Sequence, residues 1–425
     1  MPAHAAAERW DVIVVGAGPA GSACAALLAA RGFRVLVLDR DEFPRFRIGE
    51  SLLPASNVVL EALGLEPPAP EGGGAVDETF FFKGGGDFIR EASGHAASFS
   101  FADALPGPPR GTWHVDRSRF DRALRDLARE RGAEVRHGER DGKVCEVDID
   151  PEAGVTVTLG SGARERGRYL VDASGQGRLM ARRLGSVQPY EHFGKAAAFT
   201  HYAGVSDAAF AELLPQSHIR IMIIEDGWGW VIPLPGARLS VGVVSRGRGI
   251  RKEDVFDYVA SSALVSRLTA GAEASAPRLV SNFSYRNASP HGARYCCIGD
   301  SACFIDPVFS SGVSLALVGA REVCEQLGDA LEHGREGEPD LMQAHGEKMQ
   351  RAYDVFAALV NRFYNTRFID QVLFRAPDAG TLRRSVISVF TGDVFRPDNT
   401  FAAMLVSSRT QPPSHDQQAH SDHRL

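Results

Sequence analysis

Three things are scarce in this chain of 425 residues: net positive charge, long apolar runs and cysteines in ligand-like pairs. The net charge of −6 at pH 7 gives no indication of the basic surface that nucleic acids require. No apolar run approaches the roughly 20 residues of a membrane span. Residues 1–10 also lack the apolar stretch of a signal peptide. We therefore expect a cytoplasmic protein that binds neither nucleic acid nor membrane.

The cysteines point to the same compartment. None belongs to a CxxC pair or has histidines at metal-ligand spacing, so no bound metal is predicted. Reduced, buried thiols are the expectation, with a redox-active cysteine as the alternative. The six residues are Cys24, Cys145, Cys296, Cys297, Cys303 and Cys324.

The N-terminal region carries the most regular pattern. The apolar run Asp11–Val15 leads into the glycine-rich segment Gly16–Gly21 and then into an alanine-rich stretch. A second apolar run, Arg34–Leu38, ends at Asp39. This order of strand, GxGxxG, helix, strand and acid is typical of a dinucleotide-binding βαβ unit.

Each glycine of that motif has a physical role in such a unit. Gly16 permits the tight turn, Gly18 lets the backbone approach a pyrophosphate, and Gly21 allows the helix to pack closely on the strand. The phosphates would lie at the helix N-terminus, where free N–H groups favour anions. Asp39 would accept hydrogen bonds from the ribose hydroxyls.

Five segments farther along the chain specify the class of dinucleotide-binding protein: Phe46–Ser51, Asp116–Asp121, Val171–Gly175, Ile298–Asp300 and Ile305–Gly312. In this order they resemble the FAD-dependent aromatic hydroxylase superfamily, over residues 8–335.

The resemblance implies FAD as the cofactor. In that superfamily the Gly-Asp pair contacts the ribityl chain, and the arginine that corresponds to Arg117 lies near the flavin phosphates. No second strand–GxGxxG–helix unit is visible in the sequence. The residues expected to contact the cofactor are Gly16, Gly18, Ala20, Gly21, Asp39, Arg40, Arg47, Ser51, Arg117, Asp300, Ile305, Gly312 and Val313.

Four further stretches narrow the class: Phe46–Pro54, Phe80–Phe88, Trp228–Pro233 and Asp306–Gly312. They include Lys83 and a Trp-x-Trp-x-Ile-Pro pattern. Through these stretches the chain is similar to the flavin-dependent halogenases, a family that this lysine and this pattern usually mark. The resemblance implies that reduced FAD and dioxygen convert a halide to hypohalous acid, which travels through an internal tunnel to Lys83.

Lys83 follows the strand-like run Thr79–Phe82 and precedes three glycines, which is an unusual setting for a solvent-exposed lysine. In the implied role its ammonium donates to hypohalous acid, or its neutral amine forms a haloamine. The pKa of the lysine decides between them, and burial would lower it. An ordinary exposed lysine is the alternative.

Trp228, Trp230 and Ile232 alternate with a period of two, so on a strand they share one face. A stacked pair of indoles would form a barrier between the flavin and the organic substrate. Two tryptophans that only fill a core are the alternative. The co-occurrence with Lys83 favours the barrier.

The halide and the substrate are assigned by the resemblance. Chloride or bromide would bind the backbone amides of Ser311 and Gly312 at the start of a helix, where N–H groups are unpaired and the dipole is positive. Tryptophan halogenases have a glutamate where this chain has Phe309. Its absence favours an electron-rich phenol or pyrrole over an indole, either free or tethered to an acyl or peptidyl carrier protein.

Three phenylalanines, Phe82, Phe88 and Phe309, are expected on the substrate side. Asp87 is a nearby carboxylate that could accept the ring proton. Nothing in the sequence resembles a hydride-donor site, so a separate flavin reductase is expected to supply reduced FAD through transient contact. A single-component FAD-dependent aromatic hydroxylase and a flavin-dependent isoprenoid reductase are the alternative functions.

The predicted fold class is α/β. It combines a FAD-binding Rossmann-type (GR2-like) domain with an antiparallel-sheet substrate domain and a C-terminal helical segment. The ranges are 8–75, 110–175 and 285–335 for the FAD-binding domain; 76–109 and 176–284 for the sheet domain; 336–406 for the helices; and 407–425 for a disordered tail.

Overall fold

A computed structural model describes residues 9–67, 74–190, 193, 196–214, 216–247, 249–364, 369–374 and 380–407. The tail predicted to be disordered lies outside these ranges from residue 408 onward, and Ser407 is the last residue of the final described helix.

Strands and helices are numbered here in chain order. The strands are β1 (Trp10–Val15), β2 (Val35–Asp39), β3 (Phe80–Lys83), β4 (Gly85–Arg90), β5 (His95–Ser100), β6 (Thr112–Val115), β7 (Glu134–His137), β8 (Val144–Asp150), β9 (Gly154–Leu159), β10 (Arg164–Asp172), β11 (Val187–Pro189), β12 (Ala196–Ala203), β13 (Ile219–Ile224), β14 (Gly227–Leu234), β15 (Arg238–Ser245), β16 (Glu273–Ala274), β17 (Arg278–Ser281), β18 (Tyr285–Asn287), β19 (His291–Gly292), β20 (Tyr295–Cys297) and β21 (Cys303–Phe304). The helices are α1 (Pro19–Ala30), α2 (Asn57–Leu63), α3 (Arg117–Glu130), α4 (Leu179–Arg183), α5 (Asp207–Leu213), α6 (Asp254–Ser261), α7 (Ala263–Leu268), α8 (Ser311–Glu332), α9 (Gln343–Phe363), α10 (Thr381–Phe390) and α11 (Thr400–Ser407).

The first sheet has the Rossmann-type arrangement that the N-terminal pattern predicts. Its order is β19-β20-β10-β1-β2-β7, and β20, β10, β1, β2 and β7 are parallel neighbours. The centre of β1 is fully buried, as its run of valine and isoleucine indicates for a strand covered on both faces. Strands β8 and β9 extend the sheet as an antiparallel hairpin beside β10.

Helices α1, α3 and α8 pack together over this sheet. Proline at the first position of α1 starts that helix without losing a hydrogen bond. Asp116 caps α3 by accepting from the amides of Ser118 and Arg119. The face of α3 that carries Phe120 and Leu124 is buried, as its spacing predicts.

The second sheet has the order β16-β12-β15-β14-β13-β4-β5, with β17 also paired to β12. It is antiparallel as predicted, apart from the parallel pair β4–β13. One face of β14 carries Trp228 and Trp230 into a core shared with α9 to α11, and the opposite face carries Val231 toward α6 and α7. The predicted C-terminal helices therefore cover the aromatic face of this sheet.

The two sheets are joined by a short ribbon. Strands β3 and β6 pair antiparallel, with Lys83 opposite Thr112 and Phe81 opposite His114. The sequence-based division at residue 110 separates these two paired strands. Lys83 thus lies on a ribbon that connects the regions, rather than inside the second sheet.

Two further predictions concern solvent and membrane. All six cysteines are free thiols; five are buried as predicted, whereas Cys145 is exposed because it lies on the outward side of β8. No described helix combines the length and apolarity that crossing a bilayer requires.

Candidate active site

A cavity of about 940 Å³ is bordered by residues of both sheets. The glycine-rich turn and Asp39 line it on the Rossmann side, and Phe199, Trp228 and Ile232 line it on the side of the second sheet. Ligand pockets commonly measure about 300–1,000 Å³, so this cavity has the size expected for a large cofactor.

The three glycines of the turn have different surroundings. Gly16 has φ +106°, and a Cβ there would lie 2.2 Å from the carbonyl oxygen of Ala173. A Cβ at Gly21 would lie 1.9 Å from the oxygen of Gly16. Gly18 borders the cavity together with Ala20, and the nearest atom to a Cβ at Gly18 is 3.5 Å away. Two of the glycines therefore permit chain packing, and one leaves room for a ligand.

Asp39 lies at the end of β2 and borders the cavity. Its Oδ2 accepts from the Ala17 amide at 2.7 Å and lies 3.2 Å from Nη2 of Arg45. Arg40 and Arg47 also line the cavity; Arg40 is largely exposed, and Arg47 pairs with Asp41. Burial lowers the pKa of Arg47 from its usual value.

Arg117 at the start of α3 is buried and makes a two-pronged ion pair with Asp121, at 2.8 Å and 3.1 Å. Its Nη1 donates to the carbonyl oxygens of Ile48 and Gly49 at 2.6 Å and 3.2 Å. The arginine thereby fixes the 48–51 segment along the cavity. Burial opposes its charge, but the pKa of Arg117 is raised because of Asp121 and more distant carboxylates.

Three buried polar atoms beside the cavity have no hydrogen-bond partner among the described residues: Nε of Arg45, Oε2 of Glu50 and Oγ of Ser51. Nε2 of His201 lies 2.5 Å from the other carboxylate oxygen of Glu50. Buried polar atoms are normally paired, because leaving them unpaired is costly. Such atoms, together with the open space at Gly18, fit a polar ligand of the FAD type.

The other end of the cavity is lined by Asp300, Ile305, Gly312 and Val313. Burial raises the pKa of Asp300 to about 6, against the opposing charge of Arg117. Helix α8 begins at Ser311, so Ser311 and Gly312 lie at its start as predicted, and its first N–H groups have no partner within the helix. Gly312 borders the cavity, whereas Ser311 is buried and does not line it.

Trp228, Trp230 and Ile232 all line the cavity from one face of β14, as their alternation predicts. The indole rings are 5.6 Å apart and inclined by 44°, so the expected stacking is wrong. Their N–H groups diverge: that of Trp228 donates to Asp306 at 3.1 Å, and that of Trp230 donates to Ser240 at 3.1 Å. These different acceptors hold the rings at an angle.

Lys83 is only 2% exposed, which rules out the ordinary surface lysine. Its Nζ donates to the carbonyl oxygen of Leu52 at 2.7 Å and lies 5.3 Å from the ring centre of Phe101. Burial lowers the pKa of Lys83 to about 7. Leu52 directly follows Ser51 in the chain, and Ser51 lines the cavity. The hydrogen bond to Leu52 therefore holds the lysine close to the cavity wall.

The phenylalanines expected on the substrate side divide into two places. Phe88 and Phe309 belong to one aromatic cluster with Phe363 and Phe390, and the rings of Phe309 and Phe390 stack at 5.4 Å. Phe82 does not join them. It packs edge-on against Trp113 at 6.0 Å, because β3 directs it toward the core of the first sheet.

Comparison with known proteins decides the family. The family model described as "Tryptophan halogenase" matches residues 109–392, which is well over half of the chain. The chain belongs to the flavin-dependent halogenase family. A model for the NAD(P)-binding Rossmann-like domain also matches residues 14–59, the region of the glycine-rich turn.

Individual relatives of this halogenase agree. It is 30% identical over 409 residues to the flavin-dependent halogenase armH4 of Armillaria mellea, covering 86% of this chain and 72% of that protein. It is also 30% identical over 348 residues to a 1H-pyrrole-2-carbonyl-[peptidyl-carrier protein] brominase of Pseudoalteromonas luteoviolacea, covering 76% and 79%. The solved structure of the flavin-dependent brominase Bmp2 is 26% identical, with a TM-score of 0.79 and coverage of 95% and 98%. The cofactor of this enzyme is accordingly a flavin.

Sequence reasoning missed several polar residues of the halogenase. Asp121 could have been found, since it follows Arg117 by one helical turn. Arg45 and His218 reach Asp39 and Asp87 only because the chain folds back on itself, and no spacing in the sequence signals this. Asp306 was recognised only as part of a motif, without its contact to Trp228.

Proposed function

We propose that this halogenase delivers chloride or bromide, as hypohalous acid, to an electron-rich phenol or pyrrole beside Lys83. The observation that carries the proposal is the position of Lys83. Its side chain is only 2% exposed, and its ammonium donates a hydrogen bond to Leu52, next to the wall of the cofactor cavity. An ammonium has three donors. One goes to Leu52, which leaves donors for an incoming acid.

Reduced FAD would occupy the cavity and supply the electrons with which dioxygen is activated to oxidise the halide. Gly18, Asp39 and Arg45 would hold its dinucleotide portion, and Asp300 would contact its ribityl chain. The halide would approach Gly312 at the positive end of α8, where backbone N–H groups are free to bind an anion.

Trp228 and Trp230 would keep the organic substrate out of the cofactor cavity. Both indoles line that cavity, and the aromatic cluster around Phe88 and Phe309 shares their hydrophobic core. The substrate would therefore meet hypohalous acid after its release, at Lys83. A pKa near 7 for Lys83 suits that role, since proton exchange is efficient when the pKa is close to the working pH.

Phe309 supports a phenol or pyrrole as the substrate. A phenyl ring at this position offers no carboxylate to help a less activated ring. The related brominase acts, by its name, on a pyrrole-2-carbonyl group borne by a peptidyl carrier protein. A carrier-bound pyrrole is thus one candidate, and a free phenol is the other. A separate flavin reductase would supply the reduced cofactor to either reaction.

The test is bromination in vitro. The enzyme is supplied with FAD, a flavin reductase, NADH and NaBr, and is offered phenol, pyrrole-2-carboxylate and pyrrole-2-carbonyl carrier protein. We expect a mass gain of one bromine, lost in Lys83→Met and retained in Lys252→Met, an exposed lysine. A gain of one oxygen that does not depend on halide would instead identify a hydroxylase. Undiminished bromination by Lys83→Met would refute the role of Lys83.

A further inference from the structure

Asp87, the carboxylate suggested for the ring proton, is already engaged. Its Oδ2 forms an ion pair with Arg220, and its Oδ1 lies 2.8 Å from Nδ1 of His218. A carboxylate can only accept, so Nδ1 of His218 carries the proton and donates it to Asp87. Nε2 of His218 is then an unprotonated acceptor.

Nε2 of His218 is buried and has no hydrogen-bond partner among the described residues. It lies beside Gly85, where a Cβ would be only 2.8 Å from it. The amide of Gly84 donates to the oxygen of Gln216 at 2.8 Å. The segment 216–218 therefore runs alongside Lys83–Gly85, and the free imidazole nitrogen is held next to the proposed catalytic lysine.

A second imidazole provides a comparison within the same cluster. The pairing of β3 with β6 places His114 on the same face of the ribbon as Phe81 and Lys83. Nε2 of His114 donates to the oxygen of Ser217 at 2.8 Å, and its Nδ1 has no partner among the described residues. No carboxylate of the described residues contacts its ring, so His114 lacks the support that Asp87 gives His218.

We propose that His218 is the base that removes the proton from the aromatic ring during halogenation, with Asp87 as its positioning residue. The proposal rests on the proposed function, because it needs hypohalous acid and a ring beside Lys83. It assigns to an imidazole the task that the carboxylate in tryptophan halogenases would perform, at a site where this chain has Phe309.

The reaction balances without a further reagent. The ring carbon bonds to the halogen as the halogen–oxygen bond breaks, and the ammonium of Lys83 protonates the departing hydroxide to give water. The ring carbon then loses its proton to Nε2 of His218. That proton passes to the neutral amine of Lys83, which restores both groups. The net change is the exchange of one ring hydrogen for halogen and the formation of one water.

The electrostatics of the cluster favour this direction. Burial and the charge of Lys83 lower the pKa of His218 to about 4, so its ring is neutral when the reaction begins. The same two causes place the pKa of His114 well below its usual value. When Lys83 gives up its proton, the repulsion disappears and His218 becomes a stronger base. With a pKa of about 7, the lysine then takes the proton back. Asp87 stabilises the transient imidazolium.

A deuterium isotope effect tests the assignment. Whichever of phenol and pyrrole-2-carboxylate the wild type brominates is compared with its ring-deuterated form. We expect equal rates for the wild type, because loss of the ring proton is fast. His218→Gln should lower kcat by about 100-fold, the scale of general-base catalysis, and react measurably more slowly with the deuterated substrate. His114→Gln is the matched control and should show no isotope effect. A His218→Gln enzyme with wild-type kcat and equal rates overturns the proposal.

A second measurement does not depend on activity. ¹⁵N NMR of histidine-labelled enzyme, assigned by the signals lost in His218→Gln, should show His218 protonated on Nδ1. In Asp87→Asn that preference should weaken and the isotope effect should appear with His218 still present. Protonation of His218 on Nε2 in the wild type overturns the proposal while bromination remains intact. Failure of the wild type to brominate any probe refutes the proposed function, whatever the tautomer.

Discussion

Oδ1 of Asp306 accepts a hydrogen bond of 3.1 Å from the indole nitrogen of Trp228, and both side chains are buried. The other carboxylate oxygen accepts from the hydroxyl of Tyr364 at 2.5 Å. Asp306 precedes the turn that leads into α8, so one carboxylate joins three parts of the site: the indole barrier, the start of the proposed halide-binding helix, and the end of α9.

Asp306→Ala should lower the free energy of unfolding by about 1–3 kcal/mol, the cost of leaving a buried polar group without a partner. A methyl group accepts no hydrogen bond, so the buried indole N–H of Trp228 loses its acceptor. Urea unfolding measures the loss. The control is Tyr364→Phe, which removes one donor but leaves the contact between Asp306 and Trp228. A stability of Asp306→Ala equal to wild type would show that this contact contributes nothing.

The glycine-rich turn predicts two distinct defects. Gly16→Ala places a Cβ within 2.2 Å of the Ala173 oxygen, at a φ of +106°, so we expect weak folding even without FAD. At Gly18 the nearest atom would be 3.5 Å away, so Gly18→Ala should fold normally and lose bound FAD, because its methyl group enters the cavity. Thermal unfolding of the apoprotein and the FAD absorbance of the purified enzyme separate the two. Full FAD content in Gly18→Ala would remove Gly18 from the cofactor site.

The features of the fold and the site that depend on neighbouring residues could be predicted from the sequence, whereas those that depend on contacts between distant segments could not. The β1–α1–β2 unit and the shared face of Trp228 and Trp230 follow from local periodicity, and the structure has both. The burial of Lys83 was indicated by its apolar and glycine neighbours.

Contacts between distant segments were not predictable. The parallel pairing of β4 with β13 brings Asp87 to Arg220, and the reversal before β13 brings His218 there as well. Neither the strand pairing nor the chain reversal can be predicted from the spacing of residues in the sequence. Phe82 lies apart from Phe88 and Phe309 for the same reason, since β3 pairs with β6 rather than with β4. The tilt of the indoles depends on two acceptors that are far apart in sequence.

The stability of the enzyme should depend on pH through Lys83. Its pKa is about 7 in the folded protein, against about 10.4 when unfolded. A lysine with a lowered folded pKa destabilises the fold fully below pH 7, and this destabilisation fades as the pH rises toward 10.4. The free energy of unfolding of Lys83→Met should thus be higher than that of the wild type. The difference should be largest at pH 6 and become smaller at pH 8 and again at pH 9.5. A difference that is constant over this range would show an unshifted lysine.

The pH dependence of halogenation should distinguish the two possible forms of Lys83. If the ammonium donates to hypohalous acid, single-turnover bromination declines as the pH rises above about 7, because the protonated fraction falls. If a haloamine forms on the neutral amine, the rate increases through the same range. We expect the decline. Oxidation of reduced FAD by dioxygen, followed in the same samples, shows whether a change arises before the halogenation step.

The buried ion pair of Arg117 and Asp121 gives a prediction about the cofactor site. Arg117 lines the cavity, whereas Asp121 does not. Asp121→Asn removes the partner of a buried guanidinium that is held by two contacts of 2.8 Å and 3.1 Å. Breaking one side of a buried ion pair costs about 3–5 kcal/mol. Arg117 also anchors the carbonyl oxygens of Ile48 and Gly49, so the 48–51 segment should loosen and FAD affinity should fall. Glu130→Gln, at the exposed end of the same helix, is the control and should change neither property. If Asp121→Asn unfolds like the wild type and retains FAD, Arg117 does not depend on its ion pair to hold the segment, and its contacts to the two carbonyl oxygens suffice.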